Sequence, residues 1–385
     1  MRTFVSLSHS AIDEVREYVV RHGIEPRPET LAPLIRSSSP VMSHTELVAA
    51  VDEVLATFAG LGPLEDFLAD EKVTDLLVNG SDDVWIDRGN GLERTHVTWK
   101  SELDLRNFAV RLAGSANRRL DEANPFVDVR LSSGIRFHAL LPPLAKRTTI
   151  SLRIPSKRTL SLCDLVDLGS MSPSSAQILR SIVTSGISFL ICGGTGSGKT
   201  TVLSSLLSEV DPNERMVIIE DASELAVNHP HAVQLQSRLA NIEGLGEVTM
   251  RTLIRQALRM RPNRIVVGEV RGIEVMDMLA ALNTGHDGGC GTIHANSASS
   301  VPARIESLGL MAGIPIDAIH SEFACGIQLI IEMNSVVQGR RSVGSIAVTR
   351  LNSDRRVEVL PAVNCLNDEQ YEPGYSIFQS LIKRK

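Results

Sequence analysis

Gly193-Gly194-Thr195-Gly196-Ser197-Gly198-Lys199-Thr200 is the stretch that decides the fold. Ahead of it, Ile187 to Cys192 (ISFLIC) is an apolar run of strand length. Behind it, Thr201-Val-Leu-Ser-Ser-Leu-Leu carries apolar residues at helical spacing. The glycines therefore fall at a strand-to-helix turn. Residues without side chains let successive backbone N–H groups curl round an anion at a helix N-terminus, where the peptide dipoles also favour negative charge. The pattern G-x4-G-K-[ST] adds Lys199, which reaches β- and γ-phosphates, and Thr200, whose hydroxyl can ligate the accompanying Mg²⁺. Gly193, Gly194, Thr195, Gly196, Ser197, Gly198, Lys199, Thr200 and Thr201 are thus the predicted contacts for a nucleoside triphosphate.

The chain has 385 residues, enough for two or three domains. With 43% hydrophobic and 22% charged residues it has the composition of an ordinary globular protein. No apolar run approaches the ~18 residues of a membrane span. The opening MRTFVSLSHSAIDEV meets Asp13 and Glu14 early, so no secretory signal is expected. Five cysteines without a CxxC pair fit free thiols in a reducing cytosol. A net charge of −6 disfavours a protein built to lie on nucleic acid.

Residues 1–60 read as a helical extension. Ser10–Asp13 and Ser43–Glu46 resemble capping boxes, and Ile12, Val15, Val19, then Leu47, Val51, Leu55 and Phe58, keep helical spacing. Pro26, Pro28, Pro33 and the Ser37–Pro40 run are expected to break the two helices apart. Residues 61–155 read as a small α+β domain. Its strands are expected at Asp75–Asn79, Val84–Asp87, Glu93–Trp99, Phe126–Leu131, Arg136–Leu141 and Thr148–Ile154, with a helix over 101–119. From 156 to 385 near-continuous apolar strands alternate with helices, which predicts an α/β domain with a mainly parallel sheet covered on both faces. The tail beyond Asn352 is polar and carries no clear element.

Other strand ends should converge on the glycine turn. Two end in carboxylates: Val217-Ile-Ile-Glu220-Asp221, continuing to Glu224, and Ile265-Val-Val-Gly268-Glu269. Glu269 is assigned to the Mg²⁺ shell. Glu220 and Glu224 are both candidates for polarising an attacking water, and spacing does not separate them. His286 and His294 flank the glycine-rich Asn283–Ser297, whose glycines disfavour a helix and with it a metal site through Cys290. A γ-phosphate-sensing imidazole is the sharper expectation. Arg251, Arg255 and Arg259 form a helical stripe that suits a solvated face, a subunit contact or a polyanion track.

Four boxes in order, Gly193–Thr200, Ile219–Leu225, Leu258–Gly272 and Asn283–Ser297, resemble those of the type II/type IV secretion ATPase superfamily. Val73–Gly80, Arg118–Glu122, Pro125–Leu131, Gly134–Pro143 and Pro230–Val233 resemble its tight-adherence (Tad/Cpa) pilus branch. Cys290 and Asn263 depart modestly from the family pattern, and the first 60 residues lack a clear counterpart. The resemblance implies a RecA-like P-loop domain preceded by a PAS-like domain. It implies a homo-hexamer in the cytoplasm, at the inner face of the membrane, that hydrolyses ATP with Mg²⁺ between its two domains. Inner-membrane platform proteins of a pilus or secretion machine are the implied partners. It favours Glu224 as general base, Glu269 as the Walker B acid and His294 as the His-box residue. Arg136 and Arg153, with Arg147 as a lesser candidate, become the arginines that approach the γ-phosphate. A nucleic-acid translocase or conjugal-transfer ATPase, a small-molecule kinase and a non-cycling nucleotide switch are the alternatives.

Overall fold

The computed structural model describes residues 60–383 apart from 71, 90, 132, 156–158, 239–245 and 335–340, together with 15, 18, 19, 27–38, 42, 43, 46–48, 50, 51 and 54. The chain divides into two compact units, 1–156 and 157–385. No helix among the described residues is long and apolar enough to cross a membrane.

In the first unit, Ser43 and Glu46 make the expected reciprocal cap: the Ser43 N–H donates to Glu46 Oε2 at 2.8 Å, and the Glu46 N–H donates to Ser43 Oγ at 3.3 Å. Ser10–Asp13, Leu55 and Phe58 lie outside the described residues. The proline-rich stretch read as a break is instead helix Pro28–Ser38. Pro28 stands at the first helical position, where its missing N–H is not needed, and Pro33 forfeits one backbone bond. Leu31 and Ile35, both fully buried, outweigh that loss by packing with Val15, Val19, Leu47, Val51 and Val54 into a small separate core.

The rest of this unit is a six-stranded antiparallel sheet. Its strands are β1 (Asp75–Val78), β2 (Val84–Asp87), β3 (Leu92–Arg94), β4 (Phe126–Arg130), β5 (Arg136–Leu140) and β6 (Thr149–Arg153), in the order β3-β2-β1-β6-β5-β4. Alternate residues of the central strands are buried, and on them packs helix Glu102–Ser115 through Leu105, Phe108, Ala109 and Leu112. The helix stops short of the expected residue 119 because Asn117 takes a left-handed φ of 54°. Strand β3 ends at Arg94 rather than running to Trp99, since all three of its residues are exposed at a sheet edge.

The second unit is an eight-stranded sheet of order β14-β13-β12-β7-β11-β10-β8-β9. Strands β7 (Phe189–Cys192), β8 (Met216–Glu220), β9 (Ala232–Gln236), β10 (Arg264–Val270), β11 (Cys290–Ile293) and β12 (Leu329–Met333) run parallel. Strands β13 (Val343–Leu351) and β14 (Val357–Asn364) add antiparallel. Phe189 and Ile191 enter one core, under helices Pro173–Thr184, Lys199–Leu207 and Gly374–Lys383. Leu190 and Cys192 enter the other, under helices Met250–Ala257, Glu274–Leu282, Val301–Met311 and Ile316–Gly326. That two-sided burial is why the strands read as continuous apolar runs. The tail beyond Asn352, in which the sequence marks no clear element, supplies β14 and a helix whose Phe378 is 2% exposed. Its strand was hidden because it buries few residues and carries Pro361 opposite a register shift, where an edge strand tolerates proline.

Candidate functional site

Strand β7 delivers the chain to Gly193 (φ +151°), after which Gly196 (φ +72°) and Gly198 (φ +95°) turn it into helix Lys199–Leu207. Positive φ at these points is open to glycine at little cost. A Cβ at 193 would also lie 2.8 Å from Ser197 Oγ and 2.9 Å from Met333 Cβ. The turn is internally braced: Ser197 Oγ donates to Gly194 O at 2.9 Å, and Lys199 Nζ donates to Gly193 O and Gly194 O, each at 2.9 Å. Lys199 is 7% exposed, and burial pulls its pKa down against the opposing pull of Glu269. Thr200 is half-buried and Thr201 exposed on the first helical turn.

Because β8, β10, β11 and β7 are parallel, their C-terminal ends gather on one side of the sheet. Glu269, on β10, holds two partners there: Nε2 of His294, just past β11, lies 2.8 Å from Oε1, and Arg271 Nε donates to Oε2 at 2.7 Å. Burial, then the Lys199 charge, depress the His294 pKa below its ordinary 6.5. That shift favours the neutral ring. His286 sits before β11, at the other end of the strand, where its Nδ1 contacts Ala281 O at 3.1 Å. Cys290, between them, is buried, and its thiol is pushed up to about 12 by desolvation.

The unfolded chain takes up the His294 proton at pH 6.5 and the folded chain only below that. Between the two values the unfolded state binds more protons, so stability is present above 6.5 and is lost as pH falls through the lowered folded value. Thermal melting across pH 5–7.5 is expected to show this loss in wild type and a flatter profile in His294→Gln. Superimposable profiles would refute the assignment.

The two carboxylates left open by spacing are separated by burial. Glu220, ending β8, is 3% exposed, and its Oε1 accepts the N–H groups of Glu224 and Leu225, each at 2.9 Å. Glu224 is exposed. Gly268, opposite, makes room: a Cβ there would lie 2.6 Å from Glu220 Cγ and 3.1 Å from Oε1. Gly268→Ala is expected to push Glu220 off the two N–H groups at a cost of about 1–3 kcal/mol. The readout is the thermal midpoint, and an unchanged value would mean that the pocket relaxes freely.

The three candidate arginines of the first unit do not form one group. Arg136 and Arg153 stand directly opposite in the β5–β6 register. Arg136 makes a two-pronged bond to Asp128 (Nε–Oδ1 2.9 Å, Nη2–Oδ2 2.7 Å), and Arg153 Nε donates to Asp75 Oδ1 at 3.1 Å. Arg147 lies elsewhere, donating to Glu102 Oε1 at 2.8 Å and Ser81 Oγ at 3.2 Å, with Asp82 as a further partner. Gly80 lies so close beneath it that a Cβ there would meet its Cζ at 2.2 Å. The arginine stripe is partly neutralised as well: Arg251 and Arg255 converge on Asp277, and Arg259 Nη1 donates to Arg255 O.

Sequence reasoning missed Arg341, whose Nε donates to Gly196 O at 2.8 Å from 145 residues away. It sits in a polar stretch, and no motif marks it.

A family model described as Type II/IV secretion system protein matches residues 57–365. A Mycobacterium tuberculosis protein bearing a conjugal-transfer name is 47% identical over 327 residues, spanning 83% of this chain and 93% of the relative. Type IV secretion system protein PtlH of Bordetella pertussis is 30% identical over 327 residues, spanning 77% and 94%. Among solved structures, the pilus retraction motor PilT with bound ADP has a TM-score of 0.55 at 18% identity, covering 84% of this chain and 87% of that one. The Legionella pneumophila ATPase DotB has a TM-score of 0.51 at 19% identity, covering 86% and 87%. At these identities the structural likeness is one of fold.

Proposed function

We propose, from the premise that this chain belongs to the family of type II/IV secretion system proteins, that it is an ATP hydrolase driving a pilus or secretion machine. One observation carries the proposal: the glycine turn after β7, the Glu269–His294 pair at the ends of β10 and β11, and the Glu220-fixed Glu224 segment all lie at the same end of one parallel sheet. Residues Gly193 to Thr201 hold the phosphate chain. The Thr200 hydroxyl and the Glu269 carboxylate are oxygen donors of the kind Mg²⁺ takes, and the ion would offset phosphate charge. Both Glu269 oxygens already carry partners, which suits a water-mediated contact. Glu224 acts as general base, with its backbone fixed by Glu220. His294 reports the γ-phosphate. Arg136 and Arg153 stabilise the transition state, whereas Arg147 braces the Ser81–Glu102 corner.

Attack of water on a phosphoryl group needs positioning and charge neutralisation more than covalent help. Converting a domain pair from 1:99 to 99:1 takes about 5.5 kcal/mol of differential affinity. A hydrogen bond to a charged group contributes about 1.5–3 kcal/mol. Two to four γ-phosphate contacts, with Lys199, His294 and Arg136 as the natural set, therefore suffice for a stroke. The proposed assembly is a homo-hexamer of RecA-like and PAS-like domains at the cytoplasmic face of the inner membrane. There it would act on a platform protein of a tight-adherence pilus. The motif matches at Val73–Gly80 and Pro125–Leu131 support that branch.

The conjugal-transfer name of the Mycobacterium tuberculosis relative favours a second reading, a DNA-transfer ATPase. The tie of Arg251 and Arg255 to Asp277 weighs against an open polyanion track. Phosphate release from ATP by the purified chain, with Mg²⁺ and with or without DNA, tests both. Release unaffected by DNA is the expected result. Release that requires DNA would favour the second reading, and no release under any condition would overturn both.

A further inference from the structure

Arg341 lies just ahead of β13, where the antiparallel end of the large sheet begins, and its side chain crosses to the glycine turn. Nε donates to Gly196 O at 2.8 Å. The aliphatic stem runs over Gly198, where an added Cβ would lie 3.4 Å from Arg341 Cδ. This bond uses a carbonyl of the loop and none of its N–H groups. The arginine is exposed, and among the described residues it makes no other hydrogen bond or ion pair. A guanidinium presents five donors in a planar fork. One is engaged here, and the four N–H bonds of the two terminal nitrogens remain beside the turn. Lys199, by contrast, is buried and already shared between two loop carbonyls. The turn thus has two cations of different character, one enclosed and one reaching in from solvent.

We propose that Arg341 is a phosphate-binding residue of the nucleotide site, its Nε anchored on Gly196 and its terminal nitrogens engaging the α,β-diphosphate portion of the nucleotide. The proposal rests on the nucleotide-binding reading above and adds a contact from the C-terminal strands, made within one chain. A residue gripping the diphosphate acts on ADP and ATP alike, which separates it from a γ-phosphate group.

The test is titration of the full chain with ADP at several salt concentrations, for wild type, Arg341→Gln, Arg341→Ala and Lys199→Ala. The glutamine amide can still donate to Gly196 O but carries no charge, so it preserves a merely structural role. The expected result is about tenfold weaker ADP binding (~1.4 kcal/mol) in both Arg341→Gln and Arg341→Ala. A shallower salt dependence than wild type should accompany it. ADP affinity and salt dependence equal to wild type in Arg341→Gln would overturn the proposal and leave Arg341 a loop brace. If wild type and Lys199→Ala alike fail to bind ADP, the nucleotide reading itself falls, and this contact with it. Normal wild-type binding abolished only in Lys199→Ala would remove the Arg341 contact alone.

Discussion

Replacing Arg136 with alanine is expected to lower ATP turnover by about 10³–10⁵-fold, the range an arginine finger supplies, while assembly and ADP binding stay near wild type. The expectation needs the variant to fold, and the local geometry says it does. Arg136 and Asp128 are 38% and 39% exposed, and an ion pair that open contributes about 0–1 kcal/mol to stability. A loss of turnover in the folded variant would therefore be read as catalytic. Arg136→Lys should recover little, since an ammonium cannot reproduce the two-pronged geometry seen on Asp128. A normally assembled Arg136→Ala turning over at full speed would remove Arg136 from the site, and Arg153→Ala would then be the variant to examine.

Lys199→Ala carries the second large effect. Each charge-assisted contact contributes about 1.5–3 kcal/mol, and a lysine reaching two phosphates makes two. ATP affinity is expected to fall on the order of 10²–10⁴-fold, with turnover following. The side chain is enclosed, so no water-borne cation replaces it cheaply, and burial already depresses its pKa in a way that a bound polyanion would reverse. ATP binding within threefold of wild type would sink the phosphate reading of the glycine turn.

Much of this was legible in the sequence where backbone need or two-sided burial dictates residue type. The glycine turn is readable because three of its positions have positive φ that only glycine takes cheaply. Strands β7, β8, β10 and β11 are readable because both faces meet apolar neighbours. What stayed hidden depends on tertiary context. Helix Pro28–Ser38 was obscured by prolines whose cost is offset by burial of Leu31 and Ile35. That Glu220 is enclosed and Glu224 exposed depends on the fold around them, which spacing does not describe. Arg341 reaches Gly196 through a chain path that no local pattern describes.

The β5–β6 register puts Arg136 and Arg153 face to face, with Asp128 on the outer flank of one and Asp75 on the outer flank of the other. The acids act as bookends, drawing the two guanidiniums outward against their mutual repulsion. Backbone separation between the pair is then fixed by the pleated ladder, about 4.5–5.5 Å between Cα atoms, rather than by side-chain flexibility. The small domain thereby carries two cations rooted at neighbouring ladder positions, each held by its own carboxylate.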